Sequence, residues 1–226
     1  TLTTNVGSAC SSLAWSADGG GFFYTRYPRP GERPPDELAF NVHVHWHALG
    51  SDPAHDLYEI GREFPRIAEI RLESSRDGRF TLASVQKGDG GEFTHWLRDQ
   101  HSAWHALTRY EDRCVAARLG PDGAIYFVSL LRAPRGRLLR LAPEAVDRGV
   151  AAAVVIVPES ADAIEASFAH GTGLWTGDDR VYVLYQKGGP NVVRAFHLDG
   201  RAEGELPQPP LSAVGDLVVP PGGSVP

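Results

Sequence analysis

Three histidines, His43, His45 and His47, alternate along the run NVHVHWHAL. A strand has a period of two, so the three imidazoles share one face and Val42, Val44 and Trp46 share the other. Histidines at i and i+2 on a strand present a workable zinc geometry when a third ligand comes from elsewhere. No carboxylate or cysteine within the run completes such a site. Trp46 and the valines already account for a sheet element with one apolar face and one half-exposed polar face. The three histidines are therefore weak metal candidates, and neither a metal nor another cofactor is expected.

Other chemistry-bearing patterns fall short for stated reasons. His170-Gly171-Thr172-Gly173 has the glycines of an oxyanion-binding turn, but no strand-to-helix nucleophile elbow adjoins it. Gly222-Gly223-Ser224-Val225-Pro226 lacks the second glycine such an elbow uses and reads as a tail. Gly19-Gly20-Gly21 precedes no helix, so it is not a phosphate loop. Glu111 and Asp112 are neighbours near a strand end, where adjacent side chains face opposite ways. Serine–histidine–aspartate catalysis needs a nucleophile on a sharp turn held against a base, and no serine here has that context. The residues alone describe a scaffold without a catalytic triad.

That scaffold is a repeat. A short apolar strand, a turn and an aromatic strand make up SSLAWSADGGGFFYTRYP at 11–28. The turn recurs as Ser74-Ser75-Arg76-Asp77-Gly78 before FTLASV, as Gly120-Pro121-Asp122-Gly123 before AIYFVSLL and as Gly177-Asp178-Asp179 before RVYVLY. Asp-Gly tolerates the positive φ angles of a tight hairpin, and alternating apolar residues then suit a half-buried strand. The spacing predicts strands at 11–15, 21–27, 41–49 and 56–60, then at 67–73, 79–86, 93–98 and 103–109. A third cycle runs 114–119, 124–131, 137–142 and 150–157, and a fourth 162–169, 180–186, 191–198 and 202–206. A last start lies at 214–219. Four short antiparallel strands per period of about 50 residues is the signature of a propeller blade. The expected fold is all-β: a β-propeller of about four four-stranded blades, near 8–60, 61–113, 114–160 and 161–210, with 211–226 opening the next. A β-sandwich also has many short strands but does not demand this constant period. Trp15 and the aromatics after it are expected to fill the gaps between blades.

Bulk properties narrow the function classes. The 226 residues carry 28 acidic and 22 basic side chains, which argues against nucleic acid as a partner, since that wants a basic stripe. No apolar run approaches the roughly 18 residues of a membrane-spanning helix, so no membrane partner is expected. A chain this long buries about 70% of its unfolded surface and needs no staple. Its two cysteines, Cys10 and Cys114, are far apart and read as reduced thiols of a cytoplasmic protein. The sequence starts TLTTNVG and contains no methionine, which reads as a cut start that leaves a periplasmic or secreted origin open.

Loops on a rigid scaffold are where function concentrates. The strand-two to strand-three connections are the long ones: Pro28 to Ala39 (PRPGERPPDELA), expected to be exposed and mobile, and Lys87 to Glu92 (KGDGGE). Among their charged residues, Arg29, Glu32 and Arg33 in the first and Lys87, Asp89 and Glu92 in the second are the candidate cavity-facing or interdomain contacts.

With blades and loops laid out, the chain resembles the propeller of the prolyl oligopeptidase (prolyl endopeptidase) family. The run SSLAWSADGGGFFYTRYP is followed in order by VHWHALGS at 44–51, DLYE at 56–59, VPES at 157–160 and FHLDG at 196–200. The likeness covers roughly residues 8–220. It departs from the family pattern at His45 and Trp46 and in the glycine-rich 87–92 loop. The resemblance implies a seven-bladed propeller that covers an α/β-hydrolase peptidase domain and admits only short peptide substrates, in a serine peptidase cleaving after proline. It implies that the peptidase domain of the parent chain is the partner, that no catalytic residue lies here, and that the two long loops face that domain, with Asp89 near the cavity. An arc of blades with open edges also implies self-association. The alternative reading is a stand-alone propeller that binds proteins or peptides.

Overall fold

The computed structural model describes residues 11–166 and 173–219. Its strands fall into two compact units, Thr1–Ala106 and Leu107–Pro226. Each unit contains two antiparallel sheets.

In the first unit, β1 (Leu13–Trp15), β2 (Gly21–Arg26), β3 (His43–Ala48) and β4 (Leu57–Ile60) pair in chain order. β5 (Ala68–Ser74), β6 (Thr81–Lys87), β7 (Phe93–Arg98) and β8 (Trp104–Ala106) do the same. Chain-order pairing follows from the turns. At the β1–β2 hairpin the Ser16 hydroxyl and the Gly20 N–H both donate to Asp18 Oδ1, at 2.7 and 2.9 Å, while Gly19 sits at φ +66°. The β5–β6 hairpin repeats the device with Ser75, Asp77 and Gly78 at φ +65°. An aspartate that bonds the backbone two residues on, followed by glycine at positive φ, closes a tight turn at little steric cost.

Alternation then decides the packing. Ala14, Phe23, Val44 and Ile60 from the first sheet bury against Ile70, Leu72, Ala83 and Val85 from the second. The Leu72 N–H donates to Ser12 Oγ at 2.8 Å, and Glu59 accepts from Arg98 and from the Trp104 indole at 2.9 and 3.1 Å. Trp15 is an exception to the expected gap-filling aromatics: it meets Phe22 edge-on at 5.2 Å and stays 51% exposed. Its position on β1 puts it on the face opposite the buried Ala14.

His95 on β7 is fully buried, and burial pushes its imidazole down to about 3. A folded-state value below the ordinary one means that the unfolded chain takes up a proton the folded chain refuses. The stability contribution is full above about pH 6.5 and is lost progressively as pH falls toward 3. His95→Leu is expected to flatten the decline across that window by up to about 1.4 kcal/mol per pH unit, measured as urea midpoints at successive pH values. An unchanged slope would count against this assignment.

In the second unit, β9 (Cys114–Leu119), β10 (Ile125–Ser129), β11 (Arg137–Leu141) and β12 (Val154–Val157) form the third sheet. The fourth contains β13 (Ala163–Ile164), β14 (Leu174–Thr176), β15 (Arg180–Gln186), β16 (Asn191–His197) and β17 (Ala202–Glu205). Its inner strand is divided: Ile164 pairs with Tyr185 and Leu174 with Val183, where the spacing predicts one strand over 162–169. Tyr126 links the two sheets. Its ring is fully buried, and its hydroxyl donates to Asp122 Oδ2 at 3.1 Å and lies 3.3 Å from the Leu198 carbonyl. Cys114 is a free thiol, 1% exposed, pushed up to about 12 chiefly by burial. Cys10 lies outside the described residues.

Three further expectations are corrected. Residues 150–153 are not strand: Pro143–Ala152 forms 3-10 turns kinked at Gly149 (φ +59°), and the Val150 N–H donates to the Leu107 carbonyl at 2.7 Å instead of joining a ladder. Glu111 and Asp112 lie in a 3-10 turn, Tyr110–Asp112, where Asp112 accepts from the Arg109 N–H. Residues 214–219 form no strand. Val214, Leu217 and Val219 pack on Trp175, Tyr182 and Leu184, and the Trp175 indole donates to Asp216 at 3.0 Å. This segment covers the sheet's face rather than extending its ladder.

Candidate functional site

Pairing of β2 with β3 brings Arg26 opposite His43, Tyr24 opposite His45 and Phe22 opposite His47. β4 adds Tyr58 opposite His45. One face of the first sheet is thus a lattice of rings: His43 and His45 stack at 6.4 Å, and Tyr58 meets them edge-on at 5.4 and 5.9 Å. The three histidines do share a face, but it is not half-exposed, because His45 and His47 are only 5% and 7% exposed. Among the described residues no group of three or more His, Cys, Asp or Glu side chains is arranged to hold a metal ion.

His47 and Tyr24 converge on a carboxylate that the sequence reading did not single out. Asp56, with its side chain 1% exposed, lies 2.6 Å from His47 Nδ1 and accepts from the Tyr24 hydroxyl at 2.5 Å. Burial, then the Asp56 hydrogen bond, pushes the Tyr24 phenol up to about 12. Arg29 reaches toward the same carboxylate at 3.9 Å and donates to the Pro53 carbonyl at 2.8 Å.

Arg26 is the other unanticipated member. It ends β2 with only 6% exposure and forks onto Glu32: Nη1 to Oε2 at 2.8 Å and Nη2 to Oε1 at 3.0 Å. A planar guanidinium facing a carboxylate in this way is the stronger kind of ion pair and fixes geometry as well as charge. Glu32 also accepts from the Arg29 N–H at 2.7 Å. These bonds, the Arg26 fork first, hold the Glu32 carboxyl down at about 2. The Pro28-to-Ala39 loop is exposed as expected, but it is pinned: at Glu32, at Arg29, and at Glu37, which accepts from Asn41 and pairs with Arg66.

Between these elements lies a cavity of about 360 Å³. Arg26, His43 and His45 from the sheet, Pro28, Glu32 and Arg33 from the loop, and Asp56, Tyr58 and Arg62 from β4 and its flanks line it. His43 is held below its ordinary value by burial first and then by Arg33, Arg26 and Arg62. His45 is pushed down to about 4, again by burial first and then by Arg26. The cavity therefore holds neutral imidazoles in a field set by arginines.

Of the sequence-predicted residues, the structure brings Glu32, Arg33, His43 and His45 together and sets Arg29 just behind them. His47 is turned to Asp56. Lys87, Asp89 and Glu92 are not part of the lining. They form a separate turn in which the Lys87 N–H donates to the Glu92 carbonyl at 2.9 Å, Lys87 Nζ lies 3.4 Å from Glu92, and Asp89 is exposed. Arg26, Tyr24, Asp56, Tyr58 and Arg62 were missed. A signal existed: alternation puts Phe22, Tyr24 and Arg26 on one face of β2, so a hairpin with the histidine strand must oppose them. His170 to Thr172 and the 222–226 segment lie outside the described residues.

Comparison with known proteins gives a consistent picture. The sequence model of the prolyl oligopeptidase N-terminal β-propeller domain matches residues 2–220. A curated relative, the prolyl oligopeptidase ophP of Omphalotus olearius, is 26% identical over 165 residues, covering 66% of this chain and 21% of that protein. A chain from a structural and mechanistic analysis of two prolyl endopeptidases superposes with a TM-score of 0.75 at 20% identity, over 90% of this chain and 29% of its own. Apo prolyl oligopeptidase B of Galerina marginata superposes with a TM-score of 0.65 at 14% identity, over 86% and 26%. These superpositions show the fold, a succession of antiparallel four-stranded propeller blades. The chain spans about a fifth of the curated relative and under a third of the solved ones.

Proposed function

Since the chain belongs to the family of prolyl oligopeptidase N-terminal β-propeller domains, we propose that it is the non-catalytic, substrate-gating part of a serine-type prolyl endopeptidase. The observation that carries this reading is the family match over nearly the whole chain, joined to a long β2–β3 connection. In this reading its partner is an α/β-hydrolase peptidase domain of the same parent protein, which cleaves short peptides after proline in the cytoplasm. The Pro28-to-Ala39 and Lys87-to-Glu92 loops face that domain. The propeller contributes exclusion: a rigid ring admits extended peptides and rejects folded chains.

The pinned loop supports a gate more than a tether. A loop held at Glu32 and Glu37 presents a fixed rim, and a fixed rim discriminates by size at low entropic cost. Two measurements test the proposal. The chain by itself is expected to give no hydrolysis of a chromogenic Gly-Pro peptide, and turnover above background would overturn its non-catalytic part. The parent enzyme is expected to cleave a short proline peptide at least about a hundredfold faster, in kcat/KM, than the same sequence within a folded protein, a loss matching displacement from an attack-ready geometry. Equal rates would sink the gating part.

A further inference from the structure

The cavity beneath the pinned loop carries unsatisfied positive charge. Its lining holds three arginines, Arg26, Arg33 and Arg62, and two carboxylates, Glu32 and Asp56. With both histidines neutral, three minus two leaves one positive charge. The carboxylates are also already engaged, Glu32 by Arg26 and Asp56 by Tyr24 and His47. Arg33 and Arg62 make no ion pair among the described residues, and Arg62 lies over the Tyr58 ring at 4.8 Å.

The floor is built rather than incidental. Arg26 and His45 are each about nineteen-twentieths buried, and both retain a nitrogen with no well-formed hydrogen bond, Arg26 Nε and His45 Nδ1. Arg26 Nε is a buried donor on the cavity floor, and buried donors are normally satisfied, so it calls for an acceptor. We propose that this cavity binds a small oxyanion, either the carboxylate of a peptide C-terminus or the head of a phosphate group. The Glu32 fork holds Arg26 in place at the floor, and Arg33 and Arg62 close over the anion from the rim. The site shares the Pro28-to-Ala39 loop with the proposed gate, but its test uses the chain without a catalytic domain and so stands or falls separately.

Binding is coupled to protons. His43 faces Arg33, Arg26, Arg62, Glu32 and the Tyr58 ring, and His45 faces Arg26, His43, Glu32 and the rings of Tyr24 and Tyr58. An anion among them offsets the arginine field and raises both histidines toward their ordinary value. Affinity therefore increases as pH falls.

Inorganic sulfate, whose charge is constant from pH 8 to 5, is the first probe. It stabilises folded proteins generally by exclusion from their surfaces, so the reading is the difference between the chain and its Arg33→Ala/Arg62→Ala variant. Both arginines are exposed, and the variant should fold. The expected result is a saturable rise in Tm for the chain only, with apparent affinity roughly tenfold weaker on losing each arginine and stronger at pH 5.5 than at pH 7.5. Identical, non-saturating rises in both proteins would overturn the site. A pH-independent affinity would also overturn it, since the coupling follows from the same geometry. Tri-alanine with a free or an amidated C-terminus, and inorganic phosphate, then separate the two sources. Binding of the free acid without the amide assigns a peptide carboxylate, binding of phosphate alone assigns a phosphate head, and binding of neither overturns the proposal.

Discussion

Replacing Asp56 with alanine is expected to destabilise the unit holding the first two sheets by about 3–5 kcal/mol. The carboxylate is 1% exposed and takes bonds from Tyr24 and His47 while Arg29 approaches it. Its removal strands a buried hydroxyl and a buried imidazole nitrogen, each costing about 1–3 kcal/mol unpartnered, and breaks a buried charged contact whose partners were positioned around it. Asp56→Asn keeps one carbonyl acceptor and should lose about half as much. Urea denaturation followed by tryptophan fluorescence reads both variants, and Trp46 and Trp96 lie within the affected core. A loss below about 1 kcal/mol for the alanine variant would show that the two rings find other partners. The effect should also reach the cavity, because His47 and Tyr24 flank His45 on the same face.

Two glycines at equivalent places in the repeat should respond very differently to alanine. Gly19 and Gly78 occupy the same turn of successive sheets, at φ +66° and +65°. Alanine at Gly19 meets nothing within 4 Å, so it costs only the left-handed backbone, about 1–2 kcal/mol. Alanine at Gly78 incurs the same backbone cost and also places its methyl on the Ala17 methyl and 2.8 Å from the Ala17 nitrogen. Ala17 belongs to the neighbouring sheet's turn, and backbone there cannot swing aside as a flexible side chain would. Overpacking of this kind adds about 1–3 kcal/mol, for a total of roughly 2–5 kcal/mol. The difference between the two variants isolates the contact between sheets from the turn itself. Equal losses would mean that the sheets move apart without resistance.

The contrast shows what the sequence made legible. Both Asp-Gly turns are visible as letters, and with the alternation of LAW, GFFYTR and HVHWHA they are enough to place the strands of the first sheet. Nothing in the letters says that Gly78 touches Ala17 and Gly19 touches nothing, because that is a property of packing between sheets. The site divides in the same way. Three histidines on one face follow from period two, but their burial does not, since it depends on what β2, β4 and the loop lay over them. Asp56 and Arg26 were hidden for a related reason. A buried arginine looks like an ordinary strand end until its carboxylate, six residues on, is folded back over it. The missed turns at 143–152 have a local cause. Val150 to Val157 is apolar enough for a strand, yet Pro143 starts a helical turn that kinks at the positive φ of Gly149 and resumes to Ala152, so only the last four residues remain extended.

The divided inner strand of the fourth sheet carries an evolutionary consequence. Ile164 and Leu174 are ten residues apart along the chain, but their partners Tyr185 and Val183 are two apart on β15. Register in each piece is set separately by β15, so the two pieces keep their core side chains inward whatever length of chain joins them. Elsewhere in the described sheets a one-residue insertion within a strand would exchange core for solvent. This is where descendants of the chain can change length, and so acquire new surface, while the blade is inherited intact.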